Sequence, residues 1–418
     1  MARIVEEAML DFLKKYEFNN HTIYRIEMPT PLPLVDENAY LIDAGNGLTL
    51  VDPGMLWPDR GYDYLLKERY IKQRLYIKGR KFASHDYLLD ELVPDIDAGK
   101  KDKGQICYHV LERALFEMGR DVKDIGQIMF THNHLDHYGL AAHVKRESGG
   151  KVLGFSKGTL TLTDFSGSMK TLEVAYGRLL KEADIPHDTH DEILRPTNTF
   201  FSGCAESVAV DGLYNDTGSL ELSEKVVIEA AHTPGHSDSS VLLRIVDVGS
   251  VPFVLSGDSI LKEITPNVFY DGLSSDHLVG LSAYTRSVRI MRPFAGAANV
   301  VLTGHGDPIY NQGGSSFTSD DFFNGMVGNI SGQLNNIMKI CTKDFVSVYD
   351  VISGNNPEMI EFYGKGRIGK NKMLLAAMEV RGLCDFLVDN YLLDREYDNG
   401  VYRYRKKVHV PQRFRFSF

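Results

Sequence analysis

The segment Thr131-His132-Asn133-His134-Leu135-Asp136-His137 follows the apolar run Ile128-Met129-Phe130 and places three imidazoles and a carboxylate within six positions. His132 and His134, two apart in extended chain, point to the same side and can share one ion. Asp136 and His137 reach a neighbouring ion as the chain turns into a helix. Alone, such a pair of histidines carries little weight, because isolated histidines are usually surface or core residues. Three later segments add to it. His232-Thr233-Pro234-Gly235-His236 follows the run VVIEAA, Ser256-Gly257-Asp258 follows VPFVL, and Gly304-His305-Gly306 follows NVVL. Each sets a metal-ligand side chain at the end of an expected strand, beside a glycine that lets the backbone approach closely. Singly, Asp258 reads as a helix cap and His305 as a surface loop; together the four segments define one site at one edge of a sheet sandwich.

The rest of the chain supplies a scaffold for such a site. Residues 22 to 52 alternate as short strands, with Asn46-Gly47 as a hairpin turn. A helix is expected over 105–119, a buried strand over Ile128-Met129-Phe130, a helix near 138–147, a strand at KVLGF and a helix near 169–184. Strands return from 219 to 309. Strand, helix, strand and loop in this order predict a layered α/β (α+β) architecture. Residues 57–104, rich in tyrosine and charge, read as an insertion, either a solvated helical excursion or a lid. From about 313 the pattern becomes helical and ends in REYDNGVYRYRKK, an Asp-Asn-Gly turn between alternating residues. Helices followed by a hairpin suggest a small winged-helix-like unit. With 418 residues available, two units are expected, 1–312 and 313–418.

THNHLDH, HTPGH, SGD and GHG in succession resemble the HxHxDH hydrolase branch of the metallo-β-lactamase superfamily over roughly 22–310, and VDPG at 51–54 resembles that family's early strand-end motif. The resemblance implies an αββα sandwich with the metals in a groove at one edge. It places His132, His134 and His236 on one ion and Asp136, His137 and His305 on a second, with Asp258 bridging the two; His232 has no ligand role in that pattern. Five histidines and two aspartates suit zinc, and iron or manganese also satisfy that ligand list. Two such divalent ions would share a water and lower its pKa, so that the nucleophile is a metal-bridging hydroxide. Asp136 is then the catalytic side chain that orients the water and accepts its proton.

A fold cannot choose a substrate. The ligand set resembles glyoxalase II, lactonases and RNase Z rather than lactamases with a cysteine ligand, and the C-terminal region resembles the winged-helix appendage of a β-lactamase-like subgroup. Two function classes follow. Hydrolysis of a small-molecule ester or thioester is favoured by the net charge of −10, which leaves no global basic surface for a polyanion. RNA cleavage by an endoribonuclease would instead use Lys370, Lys372, Arg381 and the tail from Arg403 to Lys407, with Tyr402 and Tyr404 as stacking surfaces. A third reading, a DNA-binding metal sensor, has no need of an open site for water. The widely spaced cysteines Cys107, Cys204, Cys341 and Cys384 indicate neither a zinc ribbon nor disulfide stapling. The first residues lack a signal-peptide pattern and no run reaches membrane-spanning length, so a cytoplasmic protein with no membrane partner is expected.

Overall fold

The computed structural model describes residues 6–31, 36–58, 87–250, 252–262, 266–268, 279–296, 298–310, 320–342, 344–353 and 370–409. The chain enters as an antiparallel meander of β1 (Glu6–Leu10), β2 (Leu13–Glu17), β3 (Thr22–Met28), β4 (Glu37–Asp43) and β5 (Leu48–Val51). The sequence reading gave no strands to residues 6–17, whose charges obscure the alternation. There the structure forms a hairpin that buries Leu13 and Tyr16.

After β5 the connections become parallel crossovers. α1 (Ile106–Glu117) leads to β6 (Ile125–Met129), which pairs with β5 in parallel. The single turn α2 (Leu135–Tyr138) and α3 (Ala141–Ser148) lead to β7 (Lys151–Phe155). α4 (Phe165–Glu182) and α5 (His190–Phe201) precede β8 (Gly212–Tyr214), which completes an eight-stranded sheet. A second sheet of six strands has β9 (Ser219–Ser223), β10 (Val226–His232), β11 (Val241–Asp247), β12 (Phe253–Gly257), β13 (Val300–Thr303) and β14 (Ile309–Tyr310), in the spatial order β14-β13-β12-β11-β10-β9. α6 (Leu281–Gly296) connects β12 to β13, which run parallel. Helices α5 and α6 were not read from the sequence. Each carries a proline, Pro196 and Pro293, of the kind that ordinarily interrupts a helix.

Side-chain alternation produces four layers. On β4, Ala39 and Leu41 join the cluster that includes Val110, Leu111 and Val144 of α1 and α3, whereas Tyr40 and Ile42 face the other sheet. On the second sheet Leu243, Leu255 and Leu302 meet Tyr40 and Ile42, while Leu242, Val254 and Val301 pack under α4 and α6. Each sheet is thus apolar on both faces, and two sheets between two helical layers are the αββα sandwich expected. The two sheets are also clipped at one corner: buried His21 contacts Asp247 through Nδ1 at 3.0 Å, and the Asn20 backbone donates to the same carboxylate.

α7 (Asp320–Ile340), β15 (Val346–Ser347), α8 (Val348–Ser353), α9 (Lys370–Asp389), β16 (Leu393–Asp398) and β17 (Val401–Lys406) follow. β16 and β17 form the anticipated hairpin, with Asn399 and Gly400 at φ 50° and 85°, as a two-residue turn requires. α9 packs on α4, α5 and α6. Ile337, Leu383 and Leu387 share one apolar cluster with Leu242 and Tyr284, so these helices bury their apolar faces on the sandwich. The expected division at 312/313 lies outside the described residues, as does most of the expected insertion at 57–104. The described part of that insertion buries Leu88, Leu92, Val93 and Ile96 in the cluster beneath α1. All four cysteines are buried and free. Among the described residues no helix is long and apolar enough to cross a membrane.

Candidate metal centre

β6 ends at Met129, and the next residues extend along the sheet edge before α2 begins, so His132 and His134 project together as their spacing requires. His236, from the loop after β10, meets them: its Nε2 lies 3.2 Å from Nε2 of His132 and 2.9 Å from Nδ1 of His134. Three imidazole nitrogens converging at such distances cannot all be served by a proton shared within one pair. They do fit around a cation, since the edge of a tetrahedron with Zn–N bonds of about 2.0–2.1 Å is about 3.3 Å.

The outward nitrogens of four of the five candidate-ligand histidines are directed to protein oxygens. Nδ1 of His236 contacts the Asn267 carbonyl at 2.7 Å, and Nδ1 of His132 contacts Thr131 Oγ1 at 3.1 Å. Nδ1 of His137 contacts Asp52 Oδ2 at 3.1 Å, and Nδ1 of His305 contacts the Asp36 carbonyl at 3.3 Å. A proton held on each outward nitrogen leaves the inward lone pair available to a metal.

The second group forms around Asp136, His137 and His305, whose ligand atoms lie within 4.8 Å of one another. Nε2 of His305 is 3.4 Å from Oδ2 of Asp136 and 3.4 Å from Oδ2 of Asp258. That same Asp258 oxygen is 3.5 Å from Nε2 of His236, and Oδ1 is 3.5 Å from Nε2 of His137. Asp258 therefore touches residues of both groups. Its approach depends on Gly304, where a Cβ would strike the Asp258 carboxylate and the Gly257 backbone. All seven candidate ligands predicted from sequence are brought together. His232 lies apart, with Nε2 at 2.7 Å from the Asp238 carbonyl.

Electrostatics divide the two groups. Burial, then the neighbouring rings of His137, His134 and His236, pushes His132 well below the usual histidine range. Burial likewise lowers His134 and brings His236 down to about 4. Burial also acts downward on His137 and His305, but Asp258 and Asp136 prevail and hold both well above that range. Burial would raise the two carboxyls, and here His137 and His305 prevail, carrying Asp136 and Asp258 below the carboxylate range. The first group thus presents neutral rings, whereas a cation entering the second displaces protons.

Two contributors carried no role in the sequence reading. Asp52, in VDPG, takes φ 53° and accepts from the backbone N–H and Oγ1 of Thr131 at 2.7 and 2.6 Å, besides facing His137. The motif was the available signal, though nothing in it named a partner. Glu37, at the start of an apolar strand, is 1% exposed and its Oε1 lies 3.8 Å from Nδ1 of His137. Nothing in the sequence marked it.

The family model of the metallo-beta-lactamase superfamily matches residues 95–305. A probable metallo-hydrolase, YqjP, of Bacillus subtilis (strain 168) is 25% identical over 224 residues, which cover 51% of this chain and 64% of that relative, less than two thirds of its length. Among solved structures, a metallo-beta-lactamase family protein from Thermus thermophilus superposes with a TM-score of 0.63 at 17% identity, covering 92% of this chain and 98% of the other. A beta-lactamase domain protein from Burkholderia ambifaria gives 0.63 at 16% identity, covering 97% of each. At these identities the two structures speak for the fold, and with the family match they make the chain a member of the metallo-β-lactamase superfamily.

Proposed function

We propose that this chain is a binuclear metal-dependent hydrolase acting on an ester or thioester bond of a small molecule. The observation that carries the reading is the meeting of two groups of ligand atoms across one carboxylate, Asp258, whose Oδ2 stands 3.5 Å from His236 and 3.4 Å from His305. We assign zinc to both positions, with His132, His134 and His236 holding one ion, Asp136, His137 and His305 the other, and Asp258 shared between them. Two divalent ions there would acidify a water between them and polarise the scissile carbonyl.

The chain's own residues set the direction of approach. His137 and His305 are closed off at the back, whereas Asp136 and Asp258 each keep 10% of side-chain exposure and His134 is half-buried. Substrate reaches the centre from that open side. Asp136 stays ionised beside His137 and His305, so its oxygens accept from a water O–H and aim its lone pair at the substrate carbon.

The RNA reading is less well supported, because the arginines among the described C-terminal residues already have anionic partners. Arg381 pairs with Glu182 at 3.0 Å and Asp385 at 2.6 Å, Arg403 with Asp184 at 3.1 Å, Arg395 with Asp385 at 2.9 Å, and Arg405 with Asp394 at 3.5 Å. Tyr404 is fully buried, and the Arg381 guanidinium lies 4.1 Å from the Tyr402 ring centre. We read this region as a winged-helix-like buttress and the protein as cytoplasmic. The test is a panel of thioesters, esters, lactones, phosphodiesters and a labelled RNA, run on metal-analysed protein with Asp136→Ala as control. Metal-dependent ester or thioester cleavage is expected; turnover of RNA alone would overturn the substrate class.

A further inference from the structure

Glu37 opens β4 with both carboxylate oxygens buried and without a hydrogen-bond partner among the described residues. A buried carboxyl in that condition is costly, and an apolar residue of similar size would suit the start of a strand whose next five residues are all buried. Its surroundings give it a use. Oε1 lies 3.8 Å from Nδ1 of His137, the atom that Asp52 approaches at 3.1 Å from its own direction. The Glu37 backbone forms an antiparallel bridge with His305, and the next residue, Asn38, donates from its N–H to the Gly304 carbonyl at 2.7 Å. Asn38 Nδ2 also donates to the carbonyls of Thr303 and Gly306, at 2.9 and 2.8 Å. The start of β4 thus meets both histidines of the second group, the His137 imidazole through the Glu37 carboxyl and the His305 backbone through its own main chain, and the carbonyl just before it, that of Asp36, lies 3.3 Å from Nδ1 of His305.

We propose that Glu37 is a positioning residue for the second metal ion: with Asp52 it brackets the outer nitrogen of His137, while its backbone fixes His305 opposite. The inference rests on the binuclear reading above. It makes Glu37 specific to one ion, because the Nδ1 contacts of His132 and His236 go to Thr131 and Asn267. Groups behind a ligand histidine tune metal affinity by about 10–100-fold.

The test is calorimetric titration of the metal-free full chain with Zn²⁺ and Co²⁺, comparing wild type, Glu37→Gln and Glu37→Met, alongside thermal unfolding of the metal-free proteins. Expected is at least a tenfold loss of affinity for the second ion in both variants, with the first ion unchanged. Metal-free Glu37→Gln and Glu37→Met should both unfold cooperatively; a residue kept only for structure would, when replaced, lower the melting temperature and weaken both ions alike. Unchanged affinity for the second ion, or an equal loss at both, overturns the assignment while leaving the binuclear reading intact. A wild-type chain that takes up fewer than two ions overturns both.

Discussion

Asp52 and His137 are separated by 85 residues in the chain and by 3.1 Å between Oδ2 and Nδ1. The contact joins the end of β5 to α2, and Thr131 donates to the same carboxylate from its backbone and its hydroxyl. One side chain therefore anchors both the turn that bears His132 and the ring of His137. Asp52→Ala should weaken uptake of the second ion by about 10–100-fold. It should also cost about 1.5–3 kcal/mol of stability through the loss of charged hydrogen bonds. Metal titration and denaturant unfolding of the variant check both, and an unaltered second-ion affinity would count against this orientation of His137.

Asp136→Asn keeps the shape of the side chain and removes its charge. Turnover of the responsive ester or thioester should fall by about 10²–10⁴-fold, the range for loss of a positioned acid–base group. The first ion should stay bound, because His132, His134 and His236 are untouched. A kinetic assay run beside metal analysis would refute the catalytic role if kcat stayed at the wild-type level with the ions in place.

Acidification should strip the two ions in order. Metal binding requires neutral imidazoles. In the metal-free chain Asp258 and Asp136 keep His137 and His305 protonated well above the ordinary histidine range. Uptake at the second position thus releases protons, and its affinity declines as pH falls through that raised range. His236, brought down to about 4, resists protonation until far lower pH. Bound metal measured against pH should pass from two ions to one as pH falls from the alkaline side through neutrality, with the first ion retained into acidic solution. Simultaneous loss of both would contradict this order.

Arg381→Ala should destabilise the protein without touching the chemistry. The side chain, 11% exposed, links α9 to Glu182 of α4 and Asp385 of its own helix. The loss should fall below about 3–5 kcal/mol, the cost of removing one partner of a fully buried pair, because Glu182 and Asp385 keep 17% and 31% of side-chain exposure. Chemical denaturation should show the loss, and kcat per folded, metal-loaded molecule should be unchanged. A specific fall in kcat would place the C-terminal region closer to the reaction than the structure does.

The seven candidate ligands were legible in sequence because each sits within a short window after an apolar strand, where local spacing carries the information. The sandwich was legible for the same reason: β4, β11 and β12 read as strands by composition alone. What escaped depended on contacts remote in sequence. Asp52 and Glu37 acquire meaning only when β4 and β5 are laid beside α2 and the His305 loop. Helices α5 and α6 escaped because Pro196 and Pro293 obscure their pattern, which packing against β10, β11 and the C-terminal helices overrides. The hairpin of β1 and β2 was hidden by its charges, most of which face solvent.

The parallel pairing of β12 with β13 aligns Leu255 with Leu302 and Gly257 with Thr303. Asp258 and His305 thus issue from adjacent rungs of one ladder, and the gap between them is governed by interstrand hydrogen bonding. The intervening stretch therefore does not set that gap, although it carries α6 and the Asn267 carbonyl behind His236. The spacing of these two candidate ligands is a property of the sheet rather than of the chain that joins its strands.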